Sequence, residues 1–256
     1  MHVHRSIGSS PSLSFVRYVI SAVLIAAVII VSPSTGQAQN NPSTTFFWES
    51  PGDPDLAGYR IYWRNAGQAY NTANKFIINN PAATTFSTSQ LPEGTYYFQV
   101  TAVDLASNES LPSNEVTLYT FKPVLEAGPV AGRVFSVQLS TPGTVSPLLD
   151  STVSGATSGN LRVTANFALP ATFELKVKAA GYLRRRFTSR SISDSAQLAA
   201  LLAGDLDNNN LVNSLDWSML SGDYFQSSRA SDFNSDGITN SVDLAFLSRN
   251  YFLAGD

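Results

Sequence analysis

The C-terminal part of this 256-residue chain contains a tandem repeat with an offset of 27 residues. Residues 205–225 (DLDNNNLVNSLDWSMLSGDYF) align with residues 232–252 (DFNSDGITNSVDLAFLSRNYF), and eight of the 21 positions are identical. Apolar positions also match in kind, since Leu206 aligns with Phe233 and Leu215 with Val242. The repeat indicates a duplicated unit in which a loop is followed by a helix, and it constrains the fold more than any other feature of the chain.

Side chains that carry oxygen recur in each copy with the spacing of a calcium-binding loop. Calcium prefers about six to eight hard oxygen ligands, and a loop of about 12 residues supplies them from alternating positions and from the backbone carbonyl at position 7. We call residues 205–216 loop 1 and residues 232–243 loop 2. The sequence predicts two Ca²⁺ ions, with the ligands Asp205, Asp207, Asn209, Leu211, Asn213 and Asp216 in loop 1 and Asp232, Asn234, Asp236, Ile238, Asn240 and Asp243 in loop 2. Leu211 and Ile238 contribute carbonyls, and we expect their side chains to turn into the core.

Other positions of the two loops fit this interpretation. The sharp turn at position 6 needs a positive φ, which Gly237 adopts freely and Asn210 tolerates, so we expect loop 1 to be the weaker site. Asn213 and Asn240 are typical helix caps. Three carboxylates in each loop repel one another without a cation, so calcium is expected to change the stability strongly. The alternative, a pair of Asp/Asn-rich turns without metal, is disfavoured by two copies in register.

On this repeat, and on the helix starts NSLD (213–216) and NSVD (240–243), residues 204–254 resemble a type I-like dockerin, an EF-hand-related module that binds cohesin domains of scaffold proteins. The resemblance implies a cohesin domain as partner. It also implies contacts along the helices, at Ser214, Leu215, Ser221, Gly222, Ser241, Val242, Ser248 and Arg249. The near-repeat of these positions would permit docking in two orientations. The chain departs from the family at Asn210, where glycine is usual, and at 221–222, where a larger and often basic pair is common.

Residues 42–121 are typical of an all-β region, with short runs of β-forming residues between turn sequences. The runs are 44–48, 58–64, 75–78, 84–88, 95–103 and 115–119, and the alternation of the fifth predicts a half-buried strand. Trp48, DPDLAGY (53–59), LPEGTY (91–96) and SNEV (113–116) make this region resemble a fibronectin type III domain of bacterial secreted proteins. We interpret Tyr62, Trp63, Tyr70 and Tyr97 as ordinary strand residues, and the alternative is a platform on which sugar rings stack.

Residues 124–200 also contain β-like runs, at 130–139, 161–167, 172–177 and 182–188, between breaks rich in Gly, Ser and Pro. The segment FELKVKAAGYLRRRF (173–187) resembles the late strands of the small β-sandwich that often precedes dockerins. We therefore predict a second, Ig-like β-sandwich here. The three arginines at 184–186 are interpreted as a solvated rim rather than a polyanion site, because successive strand residues alternate faces.

Residues 1–38 are typical of a secretory leader. They contain two arginines, no acidic residue and an apolar run at 18–31, followed by small residues at Gly36 and Ala38. We predict a signal peptide cut near Ala38 and an extracellular protein with no membrane segment, and the alternative is an uncleaved N-terminal anchor. His2 and His4 are the only histidines and cysteine is absent, so the exported chain lacks the residues for Ser-His-Asp or Cys-His catalysis, for His- or Cys-ligated zinc and for disulfides.

Charge is divided between a near-neutral body and an acidic C-terminus. Residues 200–256 contain eight Asp and two Arg, whereas residues 39–199 contain 11 acidic and 12 basic side chains. This division argues against nucleic acid as the partner and for a cation. The predicted fold class is mainly β: a fibronectin type III-like sandwich (42–121), a second small β-sandwich (124–200) and a small α-helical module of duplicated calcium-loop–helix units (204–256).

The predicted function is that of a secreted, non-catalytic modular protein that docks onto cohesin domains through its calcium-binding C-terminus. The carboxylates outside the C-terminus form no pair typical of a glycosidase, so we expect no enzyme activity. The dockerin resemblance implies a role in extracellular polysaccharide breakdown, with a polysaccharide as a second partner. Two alternatives stay open: a calcium-stabilised surface or adhesion protein, and a carbohydrate-binding accessory of glycoside hydrolases with a glycan-binding or glycan-cleaving module at 124–200.

Overall fold

The computed structural model describes residues 44–256 except 89–90, 92–93, 195–197 and 228–229. The predicted leader at 1–38 lies outside the described residues. The mainly β fold class is confirmed, and the described part contains thirteen strands and two short helices near the C-terminus. Within that part, no helix combines the length and the apolar character needed to span a membrane.

The first β region contains the six strands that the sequence predicts. They are β1 (Thr44–Phe47), β2 (Leu56–Asn65), β3 (Lys75–Ile78), β4 (Thr85–Thr88), β5 (Tyr96–Asp104) and β6 (Val116–Phe121). β1 pairs with β4, and β2 pairs with both β3 and β5, all antiparallel. The expectation of a half-buried β5 is wrong on one point: Tyr97 and Thr101, on the face opposite Phe98, are buried as well.

The second β region forms a four-stranded antiparallel sheet in the order β12-β10-β7-β8. Its strands and those that follow are β7 (Val134–Ser140), β8 (Leu149–Ser154), β9 (Leu161–Ala165), β10 (Thr172–Ala179), β11 (Gly181–Tyr182), β12 (Arg185–Ser191) and β13 (Ala203–Asp205). The sequence does not predict β8, which lies at the sheet edge within a Ser/Thr-rich stretch and has no fully buried residue.

β6 and β9 connect the two β regions. β9 pairs antiparallel with β6, which gives a five-stranded sheet in the order β3-β2-β5-β6-β9. Because side chains alternate between the faces of a strand, β6 sends Val116 and Leu118 into one hydrophobic core and Tyr119 and Phe121 into another. One sheet therefore crosses the boundary that the sequence predicts at 121–124.

The C-terminal unit consists of the two loops, each followed by a helix, α1 (Ser214–Asp223) and α2 (Ser241–Arg249). Leu206, Leu220, Phe233 and Leu247 from this unit belong to the same hydrophobic cluster as residues of β7, β9 and β10. The short strand β13, which ends on the first residue of loop 1, pairs with β11. The C-terminal unit thus shares its core with the second β region.

Candidate metal centre

Loop 1 brings three carboxylates together. Oxygen atoms of Asp205, Asp207 and Asp216 lie within 4.8 Å of one another, and Asp205 and Asp216 are fully buried whereas Asp207 is exposed. Asp205 reaches this position because it ends β13, and Asp216 because it lies in the first turn of α1. This convergence of carboxylate oxygens is the arrangement that a hard divalent cation needs.

Asp205 has one carboxylate oxygen with partners and one without. Its Oδ2 accepts a hydrogen bond from the backbone N–H of Asn210 (3.1 Å) and forms an ion pair with the ammonium group of Lys178. Its Oδ1 is buried and has no hydrogen-bond partner among the described residues. Burial raises the pKa of Asp205 above its ordinary value, although Lys178 opposes this effect. A buried acceptor without a partner is costly, and a bound cation would remove that cost.

The remaining predicted ligands of loop 1 hold the turn in shape. Asp207 accepts hydrogen bonds from the backbone N–H (3.0 Å) and the side-chain amide (2.8 Å) of Asn209. The Oδ1 of Asn209 accepts the N–H of Leu211 at 2.8 Å, and the Oδ1 of Asn213 accepts the N–H of Leu215 at 2.7 Å. These side-chain oxygens thus bond within the loop, mainly to its backbone, and hold the turn in shape.

The acidic residue at position 12 closes each loop. Asp216 accepts the backbone N–H groups of Leu206 (2.7 Å), Asp207 (3.2 Å) and Asn213 (2.8 Å). Asp243 repeats these bonds in loop 2, with Phe233 at 2.8 Å, Asn234 at 3.3 Å and Asn240 at 3.0 Å. Both helices begin with a capping box, in which the asparagine side chain accepts the backbone N–H of the aspartate and the aspartate side chain accepts that of the asparagine. The caps predicted at Asn213 and Asn240 are confirmed.

Loop 2 repeats the backbone hydrogen bonds of loop 1, but its three carboxylates do not converge as closely. Asp232 accepts the N–H of Asp236 at 3.2 Å on Oδ1 and the N–H of Gly237 at 2.9 Å on Oδ2. A hydrogen bond from Asn234 lowers the pKa of Asp236, whose carboxylate also accepts the N–H of Ile238. Among the described residues, only loop 1 brings three carboxylates within 4.8 Å of one another.

Two predictions about the turn itself have different outcomes. Asn210 and Gly237 have φ values of 71° and 99°, so the positive φ predicted at position 6 is confirmed. The expectation that Leu211 and Ile238 turn into the core is wrong, because these side chains are 38% and 39% exposed. The following residue is buried instead, since consecutive side chains of an extended segment point to opposite sides. Val212 and Thr239 both have no exposed surface.

All eight predicted partner contacts lie on the surface of the two helices. Ser214, Leu215, Ser221, Gly222, Ser241, Val242, Ser248 and Arg249 are all exposed. Arg249 differs from the others because it forms an ion pair with Glu126 of the second β region and stacks over the ring of Phe246. A groove between the helices is lined by Ser214, Trp217, Ser218, Ser248 and Tyr251, of which the sequence predicts only two as contacts.

Three residues of the second β region, Arg133, Lys178 and Arg184, make further contacts with the loops, and local sequence patterns give no signal for them. Arg133 donates hydrogen bonds to the carbonyl of Phe233 (3.0 Å) and the hydroxyl of Ser235 (2.9 Å). The backbone N–H of Arg184 donates to Oδ1 of Asn210 at 2.8 Å, and Lys178 reaches Asp205. The side chain of Arg184 also donates to the backbone carbonyl of Asp256, so the arginines at 184–186 are partly engaged with the C-terminal unit rather than only solvated.

The aromatic residues of the first β region do not form an exposed platform. Tyr97 is buried, and the guanidinium of Arg64 lies 3.9 Å from the centre of its ring and 5.2 Å from that of Tyr70. The ring of Trp63 packs edge-on against Tyr96, with the ring centres 5.7 Å apart. These contacts favour the interpretation as ordinary strand residues.

No family model matches the chain, and no curated protein matches it. Two similar solved structures are the N-terminal and C-terminal interface mutants of a type II cohesin–X-dockerin complex from Acetivibrio cellulolyticus. Each is 17% identical over 54% of this chain, with 96% and 97% of the matched chain covered and TM-scores of 0.40 and 0.42. A segment of two fibronectin type III domains from chicken tenascin is 13% identical, covers 64% of this chain and 99% of the matched one, and gives a TM-score of 0.26. The cohesin domain is the partner of the dockerin in those two complexes.

Proposed function

We propose that residues 204–256 bind Ca²⁺ through loops 1 and 2 and then dock onto a cohesin-type domain. On this proposal the two β regions are non-catalytic modules that the C-terminal unit attaches to a larger extracellular assembly. The predicted leader at 1–38 would export the chain, and polysaccharide breakdown is the proposed setting.

The observation that carries the proposal is the buried carboxylate of Asp205, which has one oxygen without a partner at the point where two further carboxylates converge. The donor set consists of carboxylates and amides, and these hard ligands suit Ca²⁺. Asp205, Asp207, Asn209 and Asp216 would hold the ion in loop 1 together with the carbonyl of Leu211. The matching residues of loop 2 would hold the second ion.

Bound Ca²⁺ would supply positive charge that neutralises the clustered carboxylates and links the start of each loop to its helix. Within the chain, Asp216 and Asp243 orient α1 and α2, because each accepts three backbone N–H groups of its loop. The exposed face of each helix is thereby fixed relative to its own loop. Leu215, Trp217 and Val242 give these faces apolar side chains that are 42–59% exposed.

Calorimetric titration of the full chain with CaCl₂ tests the first half of the proposal, and we expect two bound ions. A pull-down with a panel of cohesin domains, with and without EDTA, tests the second half. The matched control is Asp150→Asn, which removes an exposed carboxylate of β8 that is not one of the proposed ligands. Absence of calcium binding overturns the proposal as a whole, whereas calcium binding without any cohesin capture overturns the docking part.

A structural role for the C-terminal unit is the second candidate, and the shared hydrophobic core favours it. Leu206 and Phe233 pack with residues of the second β region, and Arg133 fixes loop 2 to it. Calcium would then stabilise a surface or adhesion protein without recruiting it to a scaffold. Intact calcium binding, together with failure to bind every cohesin and loss of stability in the whole second β region on chelation, favours this candidate.

A further inference from the structure

Lys178, near the end of β10, enters loop 1 from the second β region. Its ammonium group forms an ion pair with Oδ2 of Asp205 and donates to the carbonyl of Tyr182 at 2.8 Å. The Asp205 side chain has no exposed surface and that of Lys178 is 19% exposed. The first proposed ligand of loop 1 therefore already has a cationic partner within the chain.

An ammonium group at this position has two opposite effects. Without a metal ion it stabilises the loop, because a buried carboxylate with no counter-charge is strongly destabilising. With a metal ion it opposes binding, because two cations close to one carboxylate repel each other across a partly buried medium. Lys178 must therefore leave Oδ2 of Asp205, or tolerate that repulsion, when a divalent cation enters.

Loop 2 has no equivalent ion pair among the described residues. From the part of the chain that the structure describes, the carboxylate of Asp232 accepts the backbone N–H groups of Asp236 and Gly237. The cation that the second β region places beside loop 2 is Arg133, which binds the carbonyl of Phe233 and the hydroxyl of Ser235 rather than a carboxylate. The two loops carry the same number of carboxylates, but the second β region places a cation on a carboxylate of loop 1 and on a carbonyl of loop 2.

We propose that Lys178 acts as a built-in counter-cation of loop 1, so that loop 1 stays folded without Ca²⁺ and binds it more weakly than loop 2. This inference rests on the proposed calcium binding and adds an order of filling: loop 2 binds first and loop 1 second. Lys178 is a positioning residue, because it acts on the ion through Asp205.

The matched amides of Asn210 and Gly237, which donate to Oδ2 of Asp205 and of Asp232, report on each loop separately. In an NMR titration of the full chain with CaCl₂, we expect the Gly237 signal to shift at a lower calcium concentration than that of Asn210. Lys178→Met should lower the Asn210 midpoint about tenfold and leave the Gly237 midpoint unchanged. Lys178→Arg should restore the wild-type order, and Lys176→Met, on the same strand, is the control.

The outcomes separate this inference from the proposed function. If neither amide responds to calcium, the proposed function fails. If both respond with equal midpoints in the wild-type chain, or if Lys178→Met leaves the Asn210 midpoint unchanged, the counter-cation role fails while calcium binding stands. If Lys178→Met does not fold, the test is hydrogen exchange of the wild-type chain in EDTA. We expect the protection of the Asn210 amide to exceed that of the Gly237 amide about tenfold, and equal protection overturns the inference.

Discussion

Loop 1 and loop 2 carry the same pattern of side chains but meet different neighbours in the second β region. Both have a capping box, a positive φ at position 6 and an aspartate that accepts three backbone N–H groups. Loop 1 receives Lys178 on its first carboxylate, whereas loop 2 receives Arg133 on a carbonyl. The comparison teaches that a repeat determines the local turn, while the packing partner determines its electrostatic environment.

The largest expected effect tests what the loops have in common. Asp216→Ala combined with Asp243→Ala removes the acceptor of six backbone N–H groups, and each group left without a charged acceptor costs about 1–3 kcal/mol. We expect the double variant to lose about 5 kcal/mol or more, enough to unfold the C-terminal unit together with the second β region that shares its core. Urea unfolding followed by far-UV circular dichroism measures the loss, with Asp150→Asn as control. A double variant with wild-type stability contradicts the common role of the two residues.

The common features are also the ones that sequence could predict. The helix caps, the positive φ at position 6 and the six strands of the first β region follow from residue types at short range. The edge strand β8 could not be predicted, because none of its residues is fully buried and so no apolar alternation marks it. The side chain of Val212, rather than that of Leu211, points into the core. The backbone of Val212 is held there by hydrogen bonds with Phe252 and Leu253, which are about 40 residues away in the chain.

Local sequence patterns could not predict the features that distinguish the two loops, because these features depend on residues far apart in the chain. Lys178 lies 27 residues before Asp205, and Arg133 lies 100 residues before Phe233, so no local pattern links them. The pairing of β9 with β6, which joins the two β regions, is likewise long-range. Residue types predict a strand at β6, but no local pattern indicates that its two faces enter different cores.

The next prediction compares position 2 of the two loops, Leu206 and Phe233, which lie in the shared core. Phe233 is fully buried and its ring meets Tyr182 edge-on, with the ring centres 6.1 Å apart, whereas Leu206 is 6% exposed. We expect Phe233→Ala to cost about 3–5 kcal/mol and Leu206→Ala about 2–3 kcal/mol. Because the core is continuous, the second β region should unfold in the same transition. A calorimetric transition of the wild-type chain in which the C-terminal unit unfolds separately from the second β region contradicts a shared core.

A smaller effect is expected at position 6, where Asn210 and Gly237 both have a positive φ. Gly237→Asn should cost about 1 kcal/mol, because its φ of 99° lies outside the region that asparagine adopts easily. Asn210→Gly relieves backbone strain but removes the acceptor of the Arg184 N–H, so we expect a net loss of about 0.5 kcal/mol rather than a gain. Thermal unfolding measures both changes. Stabilisation by Asn210→Gly contradicts a structural role for the Asn210 side chain.

The smallest expected effect compares the C-terminal ends of the two helices. Arg249 of α2 pairs with Glu126, whereas Gly222 at the matching position of α1 has no side chain to do so. Because Arg249 is 59% exposed and Glu126 also accepts hydrogen bonds from Asn250 and the Ala203 N–H, Arg249→Ala should cost only about 0.5 kcal/mol. The loss should shrink at high salt, since exposed ion pairs are screened. Urea unfolding at low and high salt measures it, with Arg249→Lys as the charge-preserving control. A salt-independent loss of about 2 kcal/mol or more is typical of buried ion pairs rather than exposed ones. Such a loss would mean that α2 is fixed to the second β region at this end far more firmly than α1.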